Sequence, residues 1–227
     1  MNFPSDSSGT ATNPLVDRAP QAKRPAFAWL STRHAIAIGV VVWLCCGIAG
    51  LAILFLYENS AGAVARAPGD WPQGTKVEGS TGVATLVMFA HPHCPCTRSS
   101  LVELEKIVAH CQGKVTPRVV FFKPAQSVEG WEQSDLWKTA AAIPGVRVCA
   151  DLDGEEARRF GASTSGQALL YSPSGKLLFS GGITSSRGHF GDNAGRDAVE
   201  SHLSDGSASQ STTPVFGCPI VTPTNTQ

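Results

Sequence analysis

The chain has no surplus of charge of either sign: Lys and Arg total 18, and so do Asp and Glu. Without a basic surplus there is no electrostatic footprint for nucleic acid, and no nucleic-acid partner is expected. Cysteine is scarce for a disulfide-stapled mini-protein, with seven in 227 residues. Residues 1–34 lack any apolar period and are rich in Ser, Pro, Ala and Thr, so a disordered cytoplasmic arm is expected there. Residues 35–57 lack charge altogether.

That uncharged run is dominated by Val40, Val41, Val42, Trp43, Leu44, Ile48, Leu51, Ile53, Leu54 and Phe55. It is long enough to cross a bilayer as one helix. Arg18, Lys23, Arg24 and Arg33 precede it, and the first basic residue after it is Arg66. The positive-inside rule then puts the N-terminus in the cytoplasm and the rest of the chain outside. A cleaved signal peptide is the rival, with Ala61-Gly62-Ala63 as its site, but the run exceeds a usual signal core and the leading arm is long. An uncleaved signal anchor in an inner membrane, with a periplasmic domain, is the expectation. Such a compartment lets disulfides persist. Cys45 and Cys46 read as small apolar residues of the span.

Residues 58–80 read as a tether, 81–204 as the folded domain, and 205–227 as a Ser-rich tail carrying Cys218. Within the domain, 85–89 is an apolar strand. The helix after it places Leu101, Leu104, Ile107, Val108 and Cys111 on one face. A strand at 118–122 follows, then a helix from 127 or 130 to 143 with Trp131, Leu136 and Trp137 as apolar positions, then a strand at 146–150. Asp153 is the expected cap of a short helix ending at Phe160 and Gly161. Two apolar runs around Pro173 and Gly175 read as a β-hairpin, and a last helix spans 193–203. Helices interleave with strands and an antiparallel pair closes the sheet, which makes an α/β sandwich with a mixed central sheet. Cys111 and Cys149 fall on apolar positions and read as core.

The chemistry concentrates in His91-Pro92-His93-Cys94-Pro95-Cys96-Thr97, where the first strand stops and a helix begins. A cysteine there meets unpaired N–H groups and the positive end of the helix dipole. Both favour the thiolate, which is the nucleophilic and metal-binding form.

This order, with cysteines at the end of the first core strand, resembles the thioredoxin fold. The resemblance implies a three-layer α/β/α sandwich, which the transmembrane helix expected at 35–57 would precede. More narrowly, the His91–Thr97 stretch, Ser165-Gly166, Phe179-Ser180-Gly181-Gly182-Ile183-Thr184, Arg187-Gly188-His189 and Thr213-Pro214-Val215-Phe216-Gly217-Cys218-Pro219 are similar to a group of membrane-anchored thioredoxin-like proteins known as RedB. Aligning the strand gives Cys94 the nucleophile position of the family's Cys-x-x-Cys. Thr97 stands where the second cysteine is usual, and Gly166 where a cis-proline is usual.

Two functions follow as expectations. In the first, the chain is a thiol–disulfide oxidoreductase needing no cofactor, its partner a protein thiol or disulfide client. Cys94 attacks, and either Cys96 or Cys218 resolves the mixed disulfide; His91, His93, Gly166, Arg187 and His189 contribute to binding. A protonated imidazole from His91 or His93 would depress the Cys94 pKa further. A Cys-Pro-Cys ring is small and stiff, so its disulfide would be strained and oxidising. In the second, His91, His93, Cys94 and Cys96 hold copper in a chaperone or metal-site assembly factor.

Overall fold

The computed structural model describes residues 32–221. The expected arm at 1–34 lies almost wholly outside the described residues. The chain divides into two compact units, residues 1–50 and 51–227. α1 (Thr32–Glu58) is a single helix of 27 residues. Ile36, Trp43, Leu51 and Phe55 are all exposed, so the helix is apolar all round and long enough to cross a membrane.

The folded domain contains β1 (Ala84–Ala90), α2 (Pro95–His110), β2 (Val115–Lys123), α3 (Asp135–Ala142), β3 (Arg147–Leu152), α4 (Glu155–Phe160), β4 (Gln167–Tyr171), β5 (Leu177–Gly182) and α5 (Ala194–Ser204). The sheet order is β3-β2-β1-β4-β5. β1 pairs parallel with β2 and antiparallel with β4, and β5 closes the hairpin. This is the thioredoxin-like arrangement, with a mixed five-stranded sheet between two layers.

β1 is buried at every residue, as a central strand covered on both faces must be. Its alternation divides the core. Leu86, Met88 and Ala90 pack with Leu101, Leu104 and Ile107 of α2, Leu136 of α3 and Val199 of α5. Val87 and Phe89 face the other way, onto Phe160 of α4, Leu169 and Tyr171. Each fully buried Leu or Phe contributes about 1.5–3 kcal/mol by removal from water.

Several local expectations change. β2 starts three residues before the expected 118. Pro117 is tolerated there because pairing with β3 begins only at Arg118. α3 starts at Asp135, since Ser134 caps it by accepting from Trp137 N–H, and this leaves Trp131 in the preceding loop. Asp153 does not cap α4. Asp151 does so from the end of β3, accepting from the N–H groups of Glu156 (2.8 Å) and Ala157 (2.9 Å). The tether reading of 58–80 is corrected in part. Trp71 packs edge-on against Phe160 and Tyr171, and Val77 is buried, because these side chains cover the sheet face that α4 is too short to cover.

α2 and α5 are locked by one buried charge. Glu103, with no exposed surface, accepts from Lys106 Nζ (2.8 Å), Arg196 Nη1 (2.6 Å) and Gly191 N–H (2.8 Å). This also anchors the 185–193 loop beside the middle of α2.

Candidate active site

Cys94 is the N-cap of α2, with extended backbone (φ −88°, ψ 117°) and Pro95 as the first helical residue. Proline suits that place because its missing N–H would be unpaired in any case. The turn before it closes through the Cys94 N–H to His91 carbonyl bond at 3.1 Å. A second layer fixes the turn onto the β4 loop: the Ser165 hydroxyl accepts from His91 N–H (2.9 Å) and shares a 2.7 Å bond with the Thr97 hydroxyl. The position aligned with the family's second cysteine therefore serves as a hydroxyl tie.

Gly166 follows with a trans peptide, and its N–H donates to the Phe89 carbonyl at 2.8 Å. Its φ of +89° and the Ser100 hydroxyl, 2.7 Å from where a Cβ would stand, both require glycine. A proline could make neither the bond nor the turn.

Three thiols meet at this turn. The backbone N–H of Cys218 donates to Cys94 Sγ at 3.4 Å. Burial pushes the Cys94 pKa up. The thiol and N–H of Cys218, then the N–H groups of Cys96 and Thr97 at the helix start, favour the charged form, outweigh that and hold it below the ordinary thiol range. Burial and the neighbouring Cys94 sulfur push the other two thiols the opposite way, with Cys218 at about 12. Arg187 opposes the rise at both. Of the coupled thiols, Cys94 is thus the one that gives up its proton more readily and Cys218 the one that keeps it. Cys94 is only 1% exposed.

The other predicted residues separate. Arg187 reaches the site and donates from Nη1 to the Gly217 carbonyl at 2.6 Å. His189 turns back onto its own loop, bonded to the Ser186 hydroxyl and the Arg187 carbonyl. His91 stacks on Phe122 and His93 packs edge-on against Trp131 at 4.6 Å. Burial and the nearby His93 lower the His91 pKa, and its Nδ1 accepts from His93 N–H. His91 is therefore a neutral imidazole at pH 7. What lowers the Cys94 pKa is Cys218 first and backbone N–H groups after it, and not a protonated His91 of the kind expected from sequence. The same packing divides the His91, His93, Cys94, Cys96 set read as the copper alternative. Among the described residues, no group of three or more His, Cys, Asp or Glu side chains is arranged to hold a metal ion.

Sequence reasoning missed Ser165, Thr97 as a tie, and Phe122 and Trp131 as the wall behind the histidines. The Ser165-Gly166 pair was visible only through its family position. Beside Cys94 a shallow groove of about 280 Å³ runs past His93, Arg98 and Asp135.

No model of a known protein family matches the chain, and no curated protein does. Solved structures do. A hypothetical protein of Sinorhizobium meliloti is 18% identical over 72% of this chain and 96% of its own, with a TM-score of 0.52. An uncharacterized conserved protein of Geobacillus kaustophilus is 19% identical over 73% of this chain and 94% of its own, also at 0.52. A secreted disulfide oxidoreductase of Mycobacterium tuberculosis is 13% identical over 55% of this chain and 82% of its own, with a TM-score of 0.37. At these identities the likeness concerns the fold.

Proposed function

We propose that the chain is a membrane-anchored thiol–disulfide oxidoreductase of the RedB-like kind, facing the periplasm from an inner-membrane anchor at 35–57. One observation carries the reading. Cys94 sits at a helix N-cap with its pKa lowered against burial, and a hydrogen-bond donor to its sulfur comes from a second cysteine, Cys218. An inert core cysteine has no such donors.

Cys94 thiolate attacks one sulfur of a client disulfide. An S–S bond forms between Cys94 and the client, and the other client sulfur leaves as thiolate. Cys218 then attacks Cys94 Sγ as its proton passes to the departing client sulfur. The first client thiolate takes a proton from water, so the products are a Cys94–Cys218 disulfide and a client dithiol, with two electrons moved to the client. Run backwards, the same steps oxidise a client dithiol. Cys218 is favoured over Cys96 as the resolving thiol because its backbone N–H is seated on Cys94 Sγ at 3.4 Å, and because a Cys94–Cys96 ring would be the smaller and more strained of the two.

Trapping tests this assignment. In membranes carrying the full chain, Cys218→Ser is expected to accumulate mixed disulfides through Cys94 that reductant releases. Cys96→Ser is expected not to. Accumulation with Cys96→Ser alone would give the resolving role to Cys96, and the loss of no function in Cys94→Ala would remove the oxidoreductase reading.

A further inference from the structure

The tail reaches the site by a specific path. Residues 205–210 are mostly polar and exposed, apart from Ala208, which packs against the core. From 211 the chain runs without helix or strand, touching the domain through isolated bridges at Thr212 and Pro219. Along one side it pairs antiparallel with 163–165: Ser165 N–H donates to the Cys218 carbonyl and Ile220 N–H to the Ser163 carbonyl, both at 2.8 Å. Along the other side, Gly62 N–H donates to the Val215 carbonyl at 2.8 Å and Arg187 holds that of Gly217.

The approach is closer than side chains allow. A Cβ on Gly217 would overlap the Ser165 carbonyl oxygen, and Cβ atoms on Gly181 and Gly182 would overlap the backbone of Thr213 and Pro214. Gly217 has no left-handed φ, so the reason for glycine there is contact alone. The seat delivers Cys218 to Cys94 as the cysteine of any extended peptide laid on that edge would be delivered. It also leaves Cys94 covered.

A nucleophile for protein clients must be reachable by a chain. We infer that the 211–220 strap is an internal client: it occupies the peptide edge at 163–165, and an external partner, an extended cysteine-bearing segment, reaches Cys94 by displacing it. This rests on the oxidoreductase reading above. The bonds that seat the strap on 163–165 are main-chain bonds, which an incoming extended segment replaces in kind. Return of the strap after the mixed disulfide forms brings Cys218 onto Cys94 and evicts the client from the same edge.

The test reads opening directly. The full chain in detergent micelles, fully reduced, is alkylated with iodoacetamide, and the Cys94 peptide is followed by mass spectrometry. Gly217→Val is expected to accelerate Cys94 alkylation by about tenfold, since modification of a covered group tracks its open population. A synthetic peptide of residues 213–221 carrying Cys218→Ser is expected to slow it again. A folded Gly217→Val with the wild-type rate, or a peptide without effect, would overturn the inference. If Gly217→Val does not fold, hydrogen exchange on the wild type decides. The amides of Ser165 and Ile220 are expected to exchange well ahead of β1, and exchange as slow as β1 would overturn it. Failure of the oxidoreductase reading looks different: no variant exchanges with a peptide disulfide, while the alkylation gain at Gly217→Val persists.

Discussion

Cys94 is buried and Cys149 half-buried, and the two thiols respond in opposite ways. Cys149 lies half-buried in β3, at the edge of the core and near charged side chains, and its Sγ donates to the Val119 carbonyl at 4.0 Å. Burial, then the carboxylates of Asp151 and Glu156, push its pKa up to about 11. Cys94 is less exposed still, yet its pKa falls, because donors converge on its sulfur. Burial alone makes a thiol inert; burial with pre-placed donors shifts the balance toward the thiolate. Glu103 repeats the lesson with a carboxylate. Burial pushes it up, and Lys106, Gly191 N–H and Arg196 more than offset that. Asp151 marks the boundary: burial outweighs its two N–H donors, Glu156 adds repulsion, and its pKa ends raised.

The contrast breaks most sharply by deletion. Cys94→Ala is expected to abolish disulfide exchange, and Cys149→Ala to leave it intact, measured with a peptide disulfide. Next in size is the buried charge. Glu103→Ala should cost about 3 kcal/mol, because it leaves Arg196 without its buried partner. Denaturant unfolding checks this. Since the folded pKa of Glu103 is lowered, its contribution is full above the unfolded value of about 4.3 and is lost as pH falls through the folded one. Wild type and Glu103→Ala should therefore converge in stability in acid.

A smaller effect sharpens the donor argument. Cys218→Ala removes a thiol donor to Cys94, so the pH midpoint of Cys94 alkylation should move up. A midpoint that stays or falls would show that the N–H groups suffice. The smallest effect concerns Cys149→Ala, whose stability cost should stay under about 2 kcal/mol for one small, half-buried side chain. Calorimetry of the two proteins measures it.

Much of the fold was legible because it is written in local periodicity. The uncharged span, the continuous apolar β1, the hairpin around Pro173 and Gly175, and Asn193 at the start of α5 all announce themselves within a few residues. Cys94 was legible for the same reason, as a cysteine between a strand and a helix. What sequence left open depends on chain segments far apart. Asp151 rather than Asp153 caps α4 because the end of β3 aims that carboxylate at the helix, while Asp153 turns to Ala125 N–H. Trp131 looked helical by spacing, but Gly130 with φ +74° and the Ser134 cap place it in a loop against His93. The histidines, two residues from the cysteines, suggested charge or metal. Only the position of Phe122 and Trp131 shows that they pack as a wall. Cys218 was readable as a candidate, but its seat is set by the fit of Gly217 to Ser165, and no periodicity encodes that fit.

The most direct measurement is a glutathione redox titration of the full chain in detergent, with the oxidised species mapped by peptide mass spectrometry. The predicted result is one two-electron couple, absent in Cys94→Ala, whose oxidised form is a Cys94–Cys218 disulfide. A chain whose Cys94 stays a free thiol across the whole series, or a couple that survives Cys94→Ala, would contradict it.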